Sequence, residues 1–181
     1  MILGEVKLKD YLISLSEGLS LKTYVWDRDR IEDDFDVYFL GFQKNPFKFI
    51  SRSSIFVFTS LWEGFPNALI EAMACGIPVV SSDCRSGPRE ILAPDTDFEC
   101  EAKDPEFAQY GVLMPVFDGE FKGAGDPLSR EEEIWVETLS KMLTHRDIIE
   151  LYSREVLKRA SQFHIQFIAN QWRDLIEKVS L

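Results

Sequence analysis

EGFPNALIEAMACGIPVV, residues 63–80, carries one charged side chain after its opening Glu63, and that residue is a second glutamate, Glu71. Around it, IFVFTS (55–60) reads as a strand of the uniformly apolar kind and LWEGF (61–65) as a loop. PNALIEAMAC (66–75) follows as a helix with Pro66 in its first turn and Gly76 as its stop, and IPVVSS (77–82) is the next strand. This is a β-α-β unit, which implies parallel strands joined by a right-handed crossover.

Apolar runs of the same kind recur at Met1–Leu3, Val37–Leu40 and Val112–Met114. They predict strands covered on both faces, because a face meeting water would impose alternation. Leu8, Leu12 and Leu15 mark a helix, Phe47–Arg52 a short second one and Asn67–Ala74 a third, so the order predicts a layered α/β sheet. The last third is a helical tail over 129–181, opened by the capping box Ser129 and Glu132, with two further helices at about Arg146–Ser161 and Ile165–Val179. Residues 93–110, with Pro94, Pro105 and many acids, read as an acidic insertion.

At 181 residues the chain has the size of one domain with one core. Its net charge of −11, crowded into DRDRIEDDFD (27–36) and DTDFECEAKDPE (95–106), argues against nucleic acid or anionic lipid as partner. No run approaches a membrane span and the opening MILGEVKLKD is no secretory signal, so a cytoplasmic location without stable membrane insertion is expected. Cys75, Cys84 and Cys100 lack CxxC spacing, which predicts reduced thiols and no zinc site. His145 and His164 lie in the helical tail, where solvated or packed roles are expected.

In an open α/β sheet, ligands settle beyond the carboxyl ends of the strands, where Trp62, Glu63, Gly64 and Phe65 must lie. The unpaired N–H groups of Asn67, Ala68 and Leu69 point from the helix start toward the same crevice and suit a phosphate. Glu71 sits little more than a turn later, and its side chain leans back toward the N-terminus. Burying a lone acid among Ile70, Ala72 and Ala74 is costly unless hydrogen bonds satisfy it, and a polyhydroxylated ligand would supply them. The same acid also complements the helix dipole with no ligand at all.

The pattern Glu63, seven residues, Glu71, followed by SGPREIL (86–92), resembles the retaining GT-B-fold glycosyltransferases of family 4. FLGFQKNP (39–46), TSLWEGFPN (59–67) and FHIQFIANQWRDLIEK (163–178) are similar to that family too. The resemblance implies a single nucleotide-sugar-binding domain over 1–181: a Rossmann-like parallel sheet with helices on both faces, the C-terminal half of a GT-B fold with its first strand missing. It implies transfer of a hexosyl group from a UDP- or GDP-sugar to a glycan or lipid-linked acceptor, with no bound metal. Glu71 would bind the ribose hydroxyls and Glu63 would face the transferred sugar. The backbone through Gly64, Phe65, Pro66 and Asn67, with Ala68 and Leu69, would hold the diphosphate, and Gly41, Phe42 and Gln43 would lie near the base. Asp34-Phe35-Asp36 spells the DxD of the other glycosyltransferase fold but leads into a strand inside an acidic run, and is read as coincidence.

The chain departs from the family's pattern in having no acceptor domain and no basic residues on a first strand. A fragment, or a half completed by a protein partner that supplies the acceptor domain or missing strand, is therefore expected. Arg85 and Arg89 either replace the lost cations or are ordinary surface or salt-bridge arginines. The rival reading is a non-catalytic interaction subunit, or an inactive fragment, docking on a partner glycosyltransferase half.

Overall fold

A computed structural model describes residues 1–4, 7–30 and 34–179. The chain gathers into two compact units, Met1–Pro46 with Glu120–Leu128, and Phe47–Gly119 with Ser129–Leu181.

In the first unit, α1 (Lys9–Gly18) precedes two parallel strands, β1 (Thr23–Val25) and β2 (Val37–Phe39), in the register Thr23 to Val37. The strand predicted at Met1–Leu3 is reduced to one parallel bridge, Ile2 with Phe39, held by Ile2 N–H to Tyr38 O (2.7 Å) and Leu40 N–H to Ile2 O (2.9 Å). Asp36 accepts the Lys22 N–H at 2.8 Å, so this member of the DxD triplet ties off the start of β1. Ile31, Glu32 and Asp33 of the same acidic run lie outside the described residues. Tyr11 stacks edge-on against Phe121 and accepts the Lys122 N–H at 3.0 Å, which joins 120–128 to α1.

The second unit begins with α2 (Phe47–Ile50), β3 (Phe56–Phe58), α3 (Asn67–Ala74) and β4 (Val79–Ser82). It continues through α4 (Pro88–Leu92), β5 (Glu106–Phe107) and β6 (Val112–Met114) to the helices α5 (Arg130–Thr144), α6 (Arg146–Ser161) and α7 (Ile165–Val179). Its sheet has the order β3-β4-β6-β5, parallel except for the antiparallel β5–β6 pair. The chain is thus α/β with mainly parallel strands, but its strands form two sheets.

Val79, Val80, Val112, Leu113 and Met114 are all fully buried, which is why β4 and β6 show no alternation. Val80, Val112 and Met114 pack under Trp135 and Met142 of α5 and Tyr152 of α6. Val79 faces the other way, where it and Leu92 of α4 close over Gly111. β3 departs from the expectation of two covered faces: it is an edge strand, and its Val57 is 42% exposed.

The tail follows the sequence closely. Ser129 Oγ accepts the Glu132 N–H (3.2 Å) while Glu132 accepts the Ser129 N–H (2.6 Å), closing the expected capping box. Trp135 donates its indole N–H to Pro115 O at 2.9 Å, and the Tyr152 hydroxyl donates to Ala108 O at 2.9 Å. Both histidines are exposed; His145 caps α5, with Nδ1 at 2.8 Å from Lys141 O. The expected insertion at 93–110 contributes β5, so its end is part of the sheet.

Candidate functional site

The strands β3 and β4 deliver two loops side by side at their carboxyl ends. Ser82, fully buried at the end of β4, donates its hydroxyl to Ser60 O. Ser60 donates its own hydroxyl to Glu63 Oε1 at 2.7 Å. The main chain of Glu63 is held on both sides, by its N–H to Arg85 O (3.1 Å) and by Ser86 N–H to its O (2.9 Å). Ser86 Oγ adds a bond to Gly64 O at 3.2 Å. Glu63 is consequently half-buried and fixed, rather than a loose loop carboxylate.

Gly87 makes this contact possible. It has φ +95°, and a Cβ there would lie 2.5 Å from Pro66 Cδ and 2.6 Å from Gly64 O. Gly64, by contrast, faces open space, which leaves its backbone approachable. Phe65 is exposed and stacks edge-on against Phe163, while Pro66 is buried as the N-cap of α3 rather than its first helical residue.

At the start of α3, the N–H groups of Asn67 and Ala68 have no acceptor among the described residues. Leu69 does not fit the expected trio: its N–H bonds to Pro66 O at 3.1 Å, in a tight first turn, and its side chain is fully buried. Glu71 overturns the expected burial. Leu69, Ala72 and Met73 form the buried stripe of α3 at helical spacing, and Glu71 projects from the exposed side. Its carboxylate makes no hydrogen bond or ion pair among the described residues. The lone acid in the apolar run therefore marks the solvent face of a short helix, and no desolvation cost attends it.

The two arginines separate. Arg89 is buried and bonded to Asp83, Glu106 and Thr96, so it is a structural ion-pair arginine with no donor left to replace a lost cation. Arg85 is exposed and meets Glu99 at 3.3 Å. Gly41, Phe42 and Gln43 belong to the first unit. Gly41 takes φ +60° and accepts the Gly4 N–H, Gln43 donates to Leu40 O at 2.7 Å, and the Phe42 ring is 69% exposed.

Residues 13–110 match the family model described as glycosyl transferases group 1. The chain belongs to that family. It is 40% identical over 180 residues to an uncharacterized glycosyltransferase of Methanocaldococcus jannaschii, covering 98% of this chain and 41% of that protein. It is 32% identical over 139 residues to the lipopolysaccharide 1,6-galactosyltransferase of Salmonella typhimurium, covering 66% of this chain and 38% of that one. The group 1 chain thus spans less than half the length of either relative. Among solved structures, Anabaena Alr3699/HepE in complex with UDP shares its fold with a TM-score of 0.65 and 19% identity, over 97% of this chain and 40% of that one. The fold is that of GT-B glycosyltransferases.

A cleft adjoins the loops of this group 1 chain, with Cys84, Arg85, Ser86 and Gly87 on one wall and Phe98, Glu99, Cys100 and Glu101 on the other. The second wall comes from the acidic insertion. Among the described residues no three His, Cys, Asp or Glu side chains gather as a metal site, and no helix is long and apolar enough to cross a membrane. Burial pushes the Cys84 thiol up, as it does the half-buried Cys75, where Glu71 adds to the effect; Cys100 is exposed. With a maleimide at neutral pH, one thiol, Cys100, is expected to react quickly and Cys84 only on unfolding. Mass mapping of the labelled peptides checks this, and rapid labelling of Cys84 would contradict the packing at the end of β4.

Sequence reasoning passed over Ser60, Ser82, Ser86 and Gly87, which build the mount for Glu63. Their signal was present as hydroxyls in TS (59–60) and SS (81–82), where apolar strands end, and as the turn SGP (86–88).

Proposed function

We propose that this chain is the donor-binding C-terminal part of a retaining family 4 glycosyltransferase. In this reading it works as one nucleotide-sugar-binding domain in the cytoplasm, passing a hexosyl group from a UDP- or GDP-sugar to a glycan or lipid-linked acceptor, with acceptor-binding residues supplied from outside the chain. The observation that carries the reading is the fixed, half-buried Glu63 at the end of β3, one loop before the two free N–H groups that open α3. Glu63 addresses the transferred sugar, and the backbone from Gly64 to Ala68 receives the diphosphate, favoured by the helix start. Glu71, already in solvent, takes two ribose hydroxyls without a prior desolvation penalty. The reading assigns no metal to the site. A galactosyltransferase among the relatives and a UDP complex among the structural neighbours support the donor class.

Titration calorimetry with UDP, GDP and their hexose conjugates tests this directly. Binding at millimolar concentration or tighter is expected, and Glu71→Ala is expected to weaken it about tenfold or more, as loss of hydrogen bonds to a charged group does. No binding by any of these ligands, or unchanged affinity in Glu71→Ala, would refute the donor site.

The position of β3 as the terminal strand of its sheet, with Val57 exposed, favours one further reading: a non-catalytic subunit that docks on a partner glycosyltransferase half. Concentration-dependent self-association without nucleotide binding, seen by sedimentation, would select it.

A further inference from the structure

We infer that Ser60 is a positioning residue for Glu63, a role that rests on the donor-site reading above. A glutamate in a loop ordinarily samples several rotamers and loses that freedom when a ligand orders it. Here the freedom is already restricted. Ser60 Oγ donates to Glu63 Oε1 at 2.7 Å, while the Glu63 main chain is bonded through both its N–H and its C=O to Arg85 and Ser86. Ser60 is itself anchored, because the buried Ser82 donates to its carbonyl across from β4.

The mount therefore runs from the sheet interior outward: Ser82 fixes the Ser60 backbone, and the Ser60 hydroxyl fixes the carboxylate. A carboxylate has two oxygens and about four acceptor positions. Ser60 occupies one position on Oε1, which leaves Oε2 as the oxygen offered to the hydroxyls of a sugar. Ser60 touches no ligand in this arrangement and acts only through Glu63. Its effect should fall on recognition of the sugar and spare recognition of the nucleotide, whose diphosphate meets backbone N–H groups.

The test compares the wild-type chain with Ser60→Ala, Ser60→Thr, Ser60→Cys and Glu63→Gln by calorimetry against UDP and UDP-glucose, and against GDP and GDP-mannose. The quantity read is the ratio of nucleotide-sugar affinity to nucleotide affinity, for whichever pair the wild type binds. In Ser60→Ala the ratio is expected to fall about tenfold, with nucleotide affinity unchanged. Ser60→Thr, which keeps the hydroxyl, should restore it to within about twofold. Ser60→Cys, similar in size and a weaker donor, should fall between, and covers the case in which the alanine variant misfolds. A parallel loss for nucleotide and nucleotide-sugar would make Ser60 merely structural, and no change in the ratio would remove the role; either overturns the inference while leaving the donor site intact. If the wild type binds no nucleotide, or Glu63→Gln keeps the wild-type ratio, the donor-site reading itself fails and this inference with it.

Discussion

Arg89→Ala is expected to cost about 3–5 kcal/mol of folding stability, the range for removing one partner of a buried ion pair. The Arg89 and Asp83 side chains are only 7% and 2% exposed. Nε and Nη2 of Arg89 both donate to Asp83 Oδ2, at 3.1 and 2.5 Å, and Nη2 also meets Glu106 Oε2 at 2.8 Å. Nη1 reaches Thr96 Oγ1 at 3.2 Å. Burial alone would lower the Arg89 pKa, but Glu106 and Asp83 more than offset it and the guanidinium stays charged. Without it, Asp83 would keep one neutral donor among the described residues, the Ala102 N–H at 2.7 Å, for a carboxylate that is only 2% exposed. The loss is a large fraction of the ~5–15 kcal/mol that holds a typical domain folded. Urea unfolding should show the midpoint fall, and Arg89→Met combined with Asp83→Leu should recover part of it, because the stranded charge has gone. A loss below about 1 kcal/mol would contradict the burial of this ion pair.

Gly87→Ala should be nearly as damaging, for a different reason. Its backbone lies where an L side chain is strained, a cost of about 1–3 kcal/mol. The added Cβ would also stand 2.5 Å from Pro66 Cδ and 2.6 Å from Gly64 O, a clash with ring and backbone that flexible side chains cannot absorb and that adds about 1–3 kcal/mol. Relief requires the 64–66 loop to move away from 85–87, breaking the paired bonds of Glu63. Both thermal stability and nucleotide-sugar affinity should therefore drop. Gly64→Ala is the control: its Cβ enters open space, so stability should stay within about 0.5 kcal/mol. Equal melting temperatures for the two variants would contradict the packing of these loops.

The β-α-β unit was legible because each part obeys local physics. Short apolar strands, a glycine at φ +73° after α3 and a capping box before α5 need only neighbours in sequence. β1 was missed because its run Thr23–Val25 opens on a polar residue beside Lys22 and so shows no uniformly apolar stretch, and β5 because Glu106 and Phe107 pair with β6 from inside an acidic stretch. Arg85 and Arg89 look alike as letters; they differ because Asp83 and Glu106 converge on only one of them. Ser60 and Ser82 meet across 22 positions, a contact that exists only once β3 and β4 are in register. The exposure of Glu71 was readable and overlooked, since Leu69, Ala72 and Met73 already spell the buried stripe on the opposite side.

Four carboxylates, Asp83, Glu90, Glu99 and Glu101, outnumber the two guanidiniums of Arg85 and Arg89 along the cleft, in a chain whose net charge is −11. An incoming anion meets a repulsive field once it comes within about a Debye length, ~10 Å at 0.1 M salt. Capture then falls to short-range donors such as the Asn67 and Ala68 amides, and encounter should quicken as ions are added, the reverse of the attraction by which a basic cleft draws its anions in.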